Sequence, residues 1–202
     1  MPANPQEEYG NIDIYLFDQL LKGTYSNCNR VLDIGCGSGR NLHYFLRNCY
    51  EVFGVDQNPD AIISTRSLSA SLAPNNPPEN FSVAAAEALP FADESFDLVI
   101  SSAVLHFAKG GQHFDDMVSE AFRVLKPKGY FFARLASDIG IESSVKSIGE
   151  GRYLLPDGSA RFLVNEDMLL GYTQKFGKLH EPIKTTNVQN LRCMTTWCVQ
   201  KF

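Results

Sequence analysis

A chain of 202 residues is long enough for one domain with a buried core and too short for two of ordinary size. Apolar residues at 44% and charged residues at 20% exclude a disordered or fibrous chain. A formal charge of -5 leaves no general basic field for a phosphate backbone or an anionic bilayer, so neither nucleic acid nor membrane is an expected partner.

In chain order, the start from Met1 to Glu8 has neither the cationic head nor the apolar core of a signal peptide. No apolar run approaches membrane-spanning length, which predicts a cytoplasmic protein; nothing in the sequence decides between monomer and homodimer. Ile14, Phe17, Leu20 and Leu21 recur at helical spacing up to Gly23. Arg30 to Ile34 reads as a strand, Arg40 to Cys49 as a helix and Glu51 to Asp56 as a second strand. Further strands are predicted at Phe81 to Ala84, Phe96 to Ser101 and Gly129 to Leu135, with helices at Ala61 to Ser71 and Phe114 to Leu125. The alternation predicts an α/β fold, a doubly wound, mostly parallel sheet of seven strands covered by helices on both faces. Tyr153 to Val164 breaks the alternation as a hairpin turned at Pro156-Asp157-Gly158, a small insertion after strand five. Asn165 is then expected to cap a helix ending at Gly177. Two strands, Leu179 to Val188 and Arg192 to Gln200, finish the chain and supply its antiparallel end. This divides one domain into an N-terminal helix (1–29), an α/β core (30–135), an insertion (136–164) and a C-terminal helix with a strand pair (165–202).

Cys28, Cys36, Cys49, Cys193 and Cys198 are odd in number, scattered and without C-x-x-C spacing; they read as reduced thiols, and no metal site is expected.

The informative segment is Val31 to Asp56, where strand, glycine turn, helix start and second strand follow in immediate succession. Gly35 permits the tight turn, Gly37 lets a ligand lie on bare backbone, and Gly39 allows the helix to pack closely on the strand. Asp56 ends the second strand, where a carboxylate can accept hydrogen bonds from both ribose hydroxyls of an adenosine. The loop is G-x-G-x-G with Arg40 next, a poor match to the G-x-G-x-x-G of dinucleotide sites.

These residues resemble the class I S-adenosylmethionine-dependent methyltransferases. The likeness continues through Glu87 to Ile100 and Arg123 to Tyr130, and Gly37-Ser38-Gly39-Arg40-Asn41 most resembles the small tellurite-resistance and thiopurine-type enzymes. It implies S-adenosylmethionine as cofactor, S-adenosylhomocysteine as product and a small-molecule methyl acceptor. Carried over by position, Gly35, Gly37 and Gly39 would lie against the methionine portion, Asp33 near its amino group, Asp56 on the ribose and Gln57 beside the adenine. Ser101 would offer backbone near the amino group, and Val104 would pack beside the cofactor. Ala85 stands where many relatives carry an Asp for the adenine amino group, which leaves that role to backbone at Ala86 or to Glu87.

Methyl transfer from a sulfonium needs alignment more than a catalytic group. If the acceptor must lose a proton, His106, in the loop after the fourth strand, is the candidate base; packing is its other reading. Arg40, expected in a helix's first turn, needs an anion there, either the cofactor carboxylate, an anionic substrate or a surface acid. Tyr9, Tyr15, Phe107 and the hairpin are candidate lid elements, whereas His43, His113 and His180 suggest no role. Two other functions fit the fold: a nicotinamide-dependent oxidoreductase, although no tyrosine has Lys four residues later, and a non-catalytic adenosylmethionine-binding protein.

Overall fold

In the computed structural model, which describes residues 4–202, the apolar runs on either side of the glycine loop become the middle of the sheet. β1 (Arg30–Ile34) pairs in parallel with β2 (Glu51–Asp56), and β3 (Phe81–Val83) extends that edge, also in parallel. β4 (Phe96–Ser102) lies on the other side of β1, and β5 (Leu125–Ser137) follows it, both parallel. The order of strands therefore reverses between β1 and β4, and the loop after β1 opens at the carboxyl ends of the strands there. Open α/β sheets bind ligands at such a point.

Helices cover both faces because β1 to β5 alternate which face each apolar residue meets. Val31, Val52, Leu98 and Ile100 pack under α2 (Ile14–Leu21), α3 (His43–Arg47) and α4 (Pro59–Leu72). Leu32, Val55, Val99 and Phe131 pack under α5 (Gly111–Val124) and α6 (Glu166–Phe176). A five-residue α1 (Pro5–Tyr9), capped by Asn4, precedes these. No helix among the described residues is long and apolar enough to cross a membrane.

Four elements differ from the sequence expectation. The helix after the glycine loop starts at His43, three residues late, because the loop continues as turns with Leu42 N–H donating to the Gly39 carbonyl. Arg40 is therefore in a turn and not in a helix's first turn. α5 runs into β5 with no connecting loop, so Lys126 to Gly129 belong to the strand, and Lys128 takes a φ of 64° beside a register shift. The strand expected from Leu179 is two pieces, β9 (Gly177–Leu179) and β10 (Lys184–Val188), broken around Pro182, which has no N–H to give a ladder. Both pair antiparallel with β11 (Arg192–Lys201), which pairs antiparallel with β5, so the sheet has eight strands where seven were expected. The insertion is a hairpin of β7 (Arg152–Leu154) and β8 (Ala160–Phe162), with β6 (Lys146–Gly149) added as a third strand.

Trp197 on β11 shows how α6 is fixed. Its ring is fully buried and its Nε1–H donates to Thr173 Oγ1 at 2.9 Å, while Thr173 donates to the Leu169 carbonyl. Thr173→Val leaves that indole N–H buried without an acceptor, which costs about 1–3 kcal/mol. We expect a lower urea midpoint at unchanged m-value; a midpoint equal to the parent's contradicts the assignment.

Candidate active site

At the end of β1 the chain turns on Gly35, whose φ is 68°, a conformation that side chains resist. Its N–H and that of Cys36 both donate to the Val55 carbonyl, at 2.7 and 3.0 Å, which ties the loop to β2. Gly37 N–H donates to Asp56 Oδ2 at 2.9 Å and Thr65 Oγ1 donates to the Gly37 carbonyl at 2.6 Å. The Asp56 carboxylate is thus braced from both sides, since Asn58 N–H donates to Oδ1 at 2.9 Å. Each oxygen keeps a lone pair for a ligand hydroxyl.

Asp33 lies beneath the loop on β1, 1% exposed, and neither carboxylate oxygen has a hydrogen-bond partner among the described residues. Burial pushes its pKa up to about 8, against the attraction of Arg40 and with the repulsion of Asp56. An unpartnered buried carboxylate is costly, and a cationic ligand group relieves that cost.

A cavity of about 300 Å³ opens beside the loop, lined by Gly35, Asp56, Gln57, Ala86, Val104 and His113. This set brings together five of the residues expected at the cofactor. The others fall elsewhere. Gly39 is buried on the far side of the loop: a Cβ there would meet Leu68 Cδ2 of α4 at 2.7 Å, so it serves packing on α4 and not on the strand. Ser101 is fully buried in β4 with its Oγ unpartnered, and Ser102 reaches a cavity instead. Glu87 does not line the cavity with Asp56; its Oε1 stands 3.1 Å from His113 Nε2, in an open groove behind that ring.

His113, which suggested no role in the sequence, faces the cavity from α5. Lys109 N–H donates to its Nδ1 at 3.0 Å, which puts the neutral ring's proton on Nε2, toward Glu87. The sequence signal was the i, i+4 spacing of Lys109 and His113 across a helix start, which only the fold makes meaningful.

A second cavity of about 350 Å³ shares Ala103 with the first and extends over β4, β5 and β11. Ala103 holds a φ of 65°, a strained conformation at the junction, secured by its N–H donating to the Arg134 carbonyl at 2.7 Å. Leu155, Asp157, Ser159 and Arg161 of the hairpin form one wall, and Phe107 lines the first cavity. Tyr9 and Tyr15 line neither: Tyr9 stacks on Tyr44, and Tyr15 lies under the Arg134 guanidinium.

His106 is 6% exposed on the wall of the second cavity. Ala136 N–H donates to its Nδ1 at 3.3 Å, so the neutral ring carries its proton on Nε2. Burial, aided by the charge of Arg161, lowers its pKa to about 4. Arg40 reaches the same cavity, its Nη2 donating to Ser102 Oγ at 3.0 Å.

The methyltransferase-domain family profile matches residues 32–133, about half of the chain. The chain is 33% identical over 131 residues to the uncharacterized methyltransferase YodH of Bacillus subtilis (strain 168), covering 63% of this chain and 48% of that one. It is 34% identical over 155 residues to the thiol S-methyltransferase TMT1B of Rattus norvegicus, covering 69% and 60%. The chain spans about half the length of the curated relatives it matches. Among solved structures, the PH0226 protein of Pyrococcus horikoshii OT3 superposes with a TM-score of 0.71 at 20% identity, covering 99% of this chain and 97% of that one. That likeness is one of fold.

Proposed function

The chain belongs to the methyltransferase-domain family, and from that premise we propose that it transfers the methyl group of S-adenosylmethionine to a small molecule. The observation that carries the proposal is Asp33, a buried carboxylate with both oxygens unpartnered at the glycine loop. S-adenosylmethionine brings an ammonium group to satisfy it. A nicotinamide dinucleotide brings no ammonium, and its pyrophosphate at the glycine loop would lie near the unpartnered carboxylate of Asp33.

In this reading Asp33 holds the methionine ammonium, Arg40 its carboxylate, Asp56 the ribose hydroxyls, and Ala86 and Val104 flank the adenine. Gln57, exposed and lining the same cavity, lies beside the adenine in this reading. Residues 30–135 are the cofactor half, and the insertion covers the acceptor half. Bound there, the cofactor would supply an activated methyl group, the acceptor's lone pair forming the new bond to carbon and the sulfur–carbon pair staying on sulfur in S-adenosylhomocysteine. The chain's part is to align the acceptor and exclude water, for which the hairpin wall is placed.

His106 then acts from Nε2 as a hydrogen-bond donor that orients the acceptor, in place of the base expected from sequence. Two measurements separate the roles. A depressed pKa keeps His106 neutral above about pH 5, so kcat/KM should show no inflection from it near the ordinary histidine value of about 6.5. His106→Gln, which retains a donor at nearly the same place, should stay within about fivefold of the parent, whereas His106→Ala should lose roughly ten- to a hundredfold. An inflection near pH 6.5 that disappears in the Gln variant would restore the base.

The proposal itself is tested by calorimetry with S-adenosylmethionine and NAD, followed by incubation with labelled S-adenosylmethionine and a metabolite extract, the labelled product being identified by mass. Binding of NAD in preference overturns the cofactor; binding without any labelled product leaves a protein that binds and does not transfer.

A further inference from the structure

The second cavity is positively charged in a chain whose formal charge is -5. Its wall carries Arg40, Arg134, Arg161 and Arg192 against Asp13 and Asp157. Two of the four guanidinium groups are accounted for. Arg134 Nε lies 3.1 Å from Asp13 Oδ2 and its guanidinium rests on the Tyr15 ring, 4.6 Å from the centroid. Arg40 bonds Ser102 and is assigned above to the methionine carboxylate.

Arg161 and Arg192 remain. Among the described residues neither makes an ion pair with a carboxylate. Asp157 is the nearby acid, since both arginines lower its pKa, but its Oδ1 already accepts from Ser159 N–H and Oγ–H, at 2.9 and 2.6 Å. Arg161 is half-buried and held in place: its Nη1 donates to the Ala160 carbonyl at 2.8 Å, and its guanidinium lies 4.9 Å from the Phe107 centroid. A cation fixed by an aromatic face and a backbone carbonyl, with an acid nearby but no carboxylate bonded to it, is prepared for an anion.

The two arginines come from different elements of the fold, half-buried Arg161 from β8 of the hairpin and exposed Arg192 from the start of β11. Phe107, under Arg161, lines the first cavity, which meets the second at Ala103. Guanidinium groups favour carboxylate and phosphate oxygens, which they can meet with two parallel hydrogen bonds. We propose that the acceptor carries a carboxylate or a phosphate, gripped by Arg161 and Arg192, while the atom to be methylated lies toward Ala103 and the cofactor. The gripped oxygens are a handle and not the nucleophile, because guanidinium bonding withdraws the electron density that attack on a methyl carbon requires. The inference rests on the methyl-transfer reading above.

The test uses the whole chain saturated with S-adenosylhomocysteine, titrated at constant ionic strength with inorganic phosphate and, separately, with acetate. The parent should bind at least one of them saturably, and the stronger identifies which oxyanion the acceptor bears. Arg161→Gln and Arg192→Gln should each weaken that binding at least tenfold, and the double variant should abolish it. S-adenosylhomocysteine affinity should stay within about twofold in every variant, which also shows that each folds, and Arg161→Lys should recover part of the anion binding. Saturable binding of neither anion by the parent, or undiminished binding by the double variant, overturns the inference while the cofactor reading stands. Failure of S-adenosylhomocysteine to bind the parent overturns both.

Discussion

Asp33→Asn should make the ligand-free protein more stable at pH 8 and the same protein a much poorer binder of S-adenosylmethionine. Both effects follow from one unpartnered carboxylate with a folded pKa of about 8, against an ordinary value of 3.8. A raised carboxyl pKa gives stability that is fully present below about pH 4 and is lost as pH rises through about 8, because the unfolded chain ionises first. By pH 8 the loss is several kcal/mol, and the amide, itself unpartnered, returns about 2 kcal/mol of it. The difference between variant and parent should fade toward pH 4. With the cofactor bound, the amide cannot neutralise a buried ammonium, a loss of about 3 kcal/mol or more, equivalent to at least a hundredfold in Kd. The parent should also release a proton on binding, so its affinity rises close to tenfold per pH unit up to about pH 8. Thermal unfolding and calorimetry in buffers of different ionisation enthalpy read all three. A variant less stable than the parent at pH 8, with cofactor affinity intact, would place Asp33 in the structural core and remove it from the site.

Gly35→Ala is the second large effect. A Cβ at Gly35 would fall inside the envelope of Val104 Cγ2, and the backbone is held at a φ of 68° by the bonds to the Val55 carbonyl. The φ costs about 1–2 kcal/mol and the overpacking about 1–3 kcal/mol more. The relief available is to push Val104 into the cofactor cavity, so we expect a loss of stability together with at least a tenfold loss of cofactor affinity. Adding Val104→Ala should return the packing part and leave the φ part, a partial rescue that a double-mutant cycle measures. If the single variant matches the parent in both stability and affinity, the contact between loop and Val104 has no role in shaping the site.

Asp33 and Asp56 are legible in sequence because everything that places them is local. Each sits in or at the end of an apolar strand beside a glycine turn, and parallel pairing of consecutive strands brings them to the same end of the sheet. The start of α3 is less legible, since turns after Gly39 carry the same apolar spacing as a helix. β6 is hidden for a simpler reason: all four of its residues are exposed, so no alternation marks it. The basic wall lies furthest from sequence reading. Arg40, Arg134, Arg161 and Arg192 come from a turn, a central strand, an inserted hairpin and the final strand, and no spacing rule relates them. His106 is legible in position and not in tautomer, because the backbone N–H that occupies its Nδ1 belongs to Ala136, on another strand.

The insertion leaves β5 and returns to the fold almost where it departed. Ser137 and Val164 form a parallel bridge, Asp138 N–H donates to the Val164 carbonyl at 3.1 Å, and Val164 N–H donates to the Ala136 carbonyl at 3.4 Å. With its two ends side by side, residues 138–163 behave as a cassette. Changing its length adds only the slowly growing entropy of a loop whose closure is already made; Phe162 stacked on Phe114, and Leu155 and Leu163 packed with Ala136 and Met194, tie it to the rest of the fold. Under the proposed reading, one wall of the acceptor cavity, the one that carries Arg161, can therefore be exchanged as one contiguous stretch of chain, while the strands that present Asp33 and Asp56 are left unchanged.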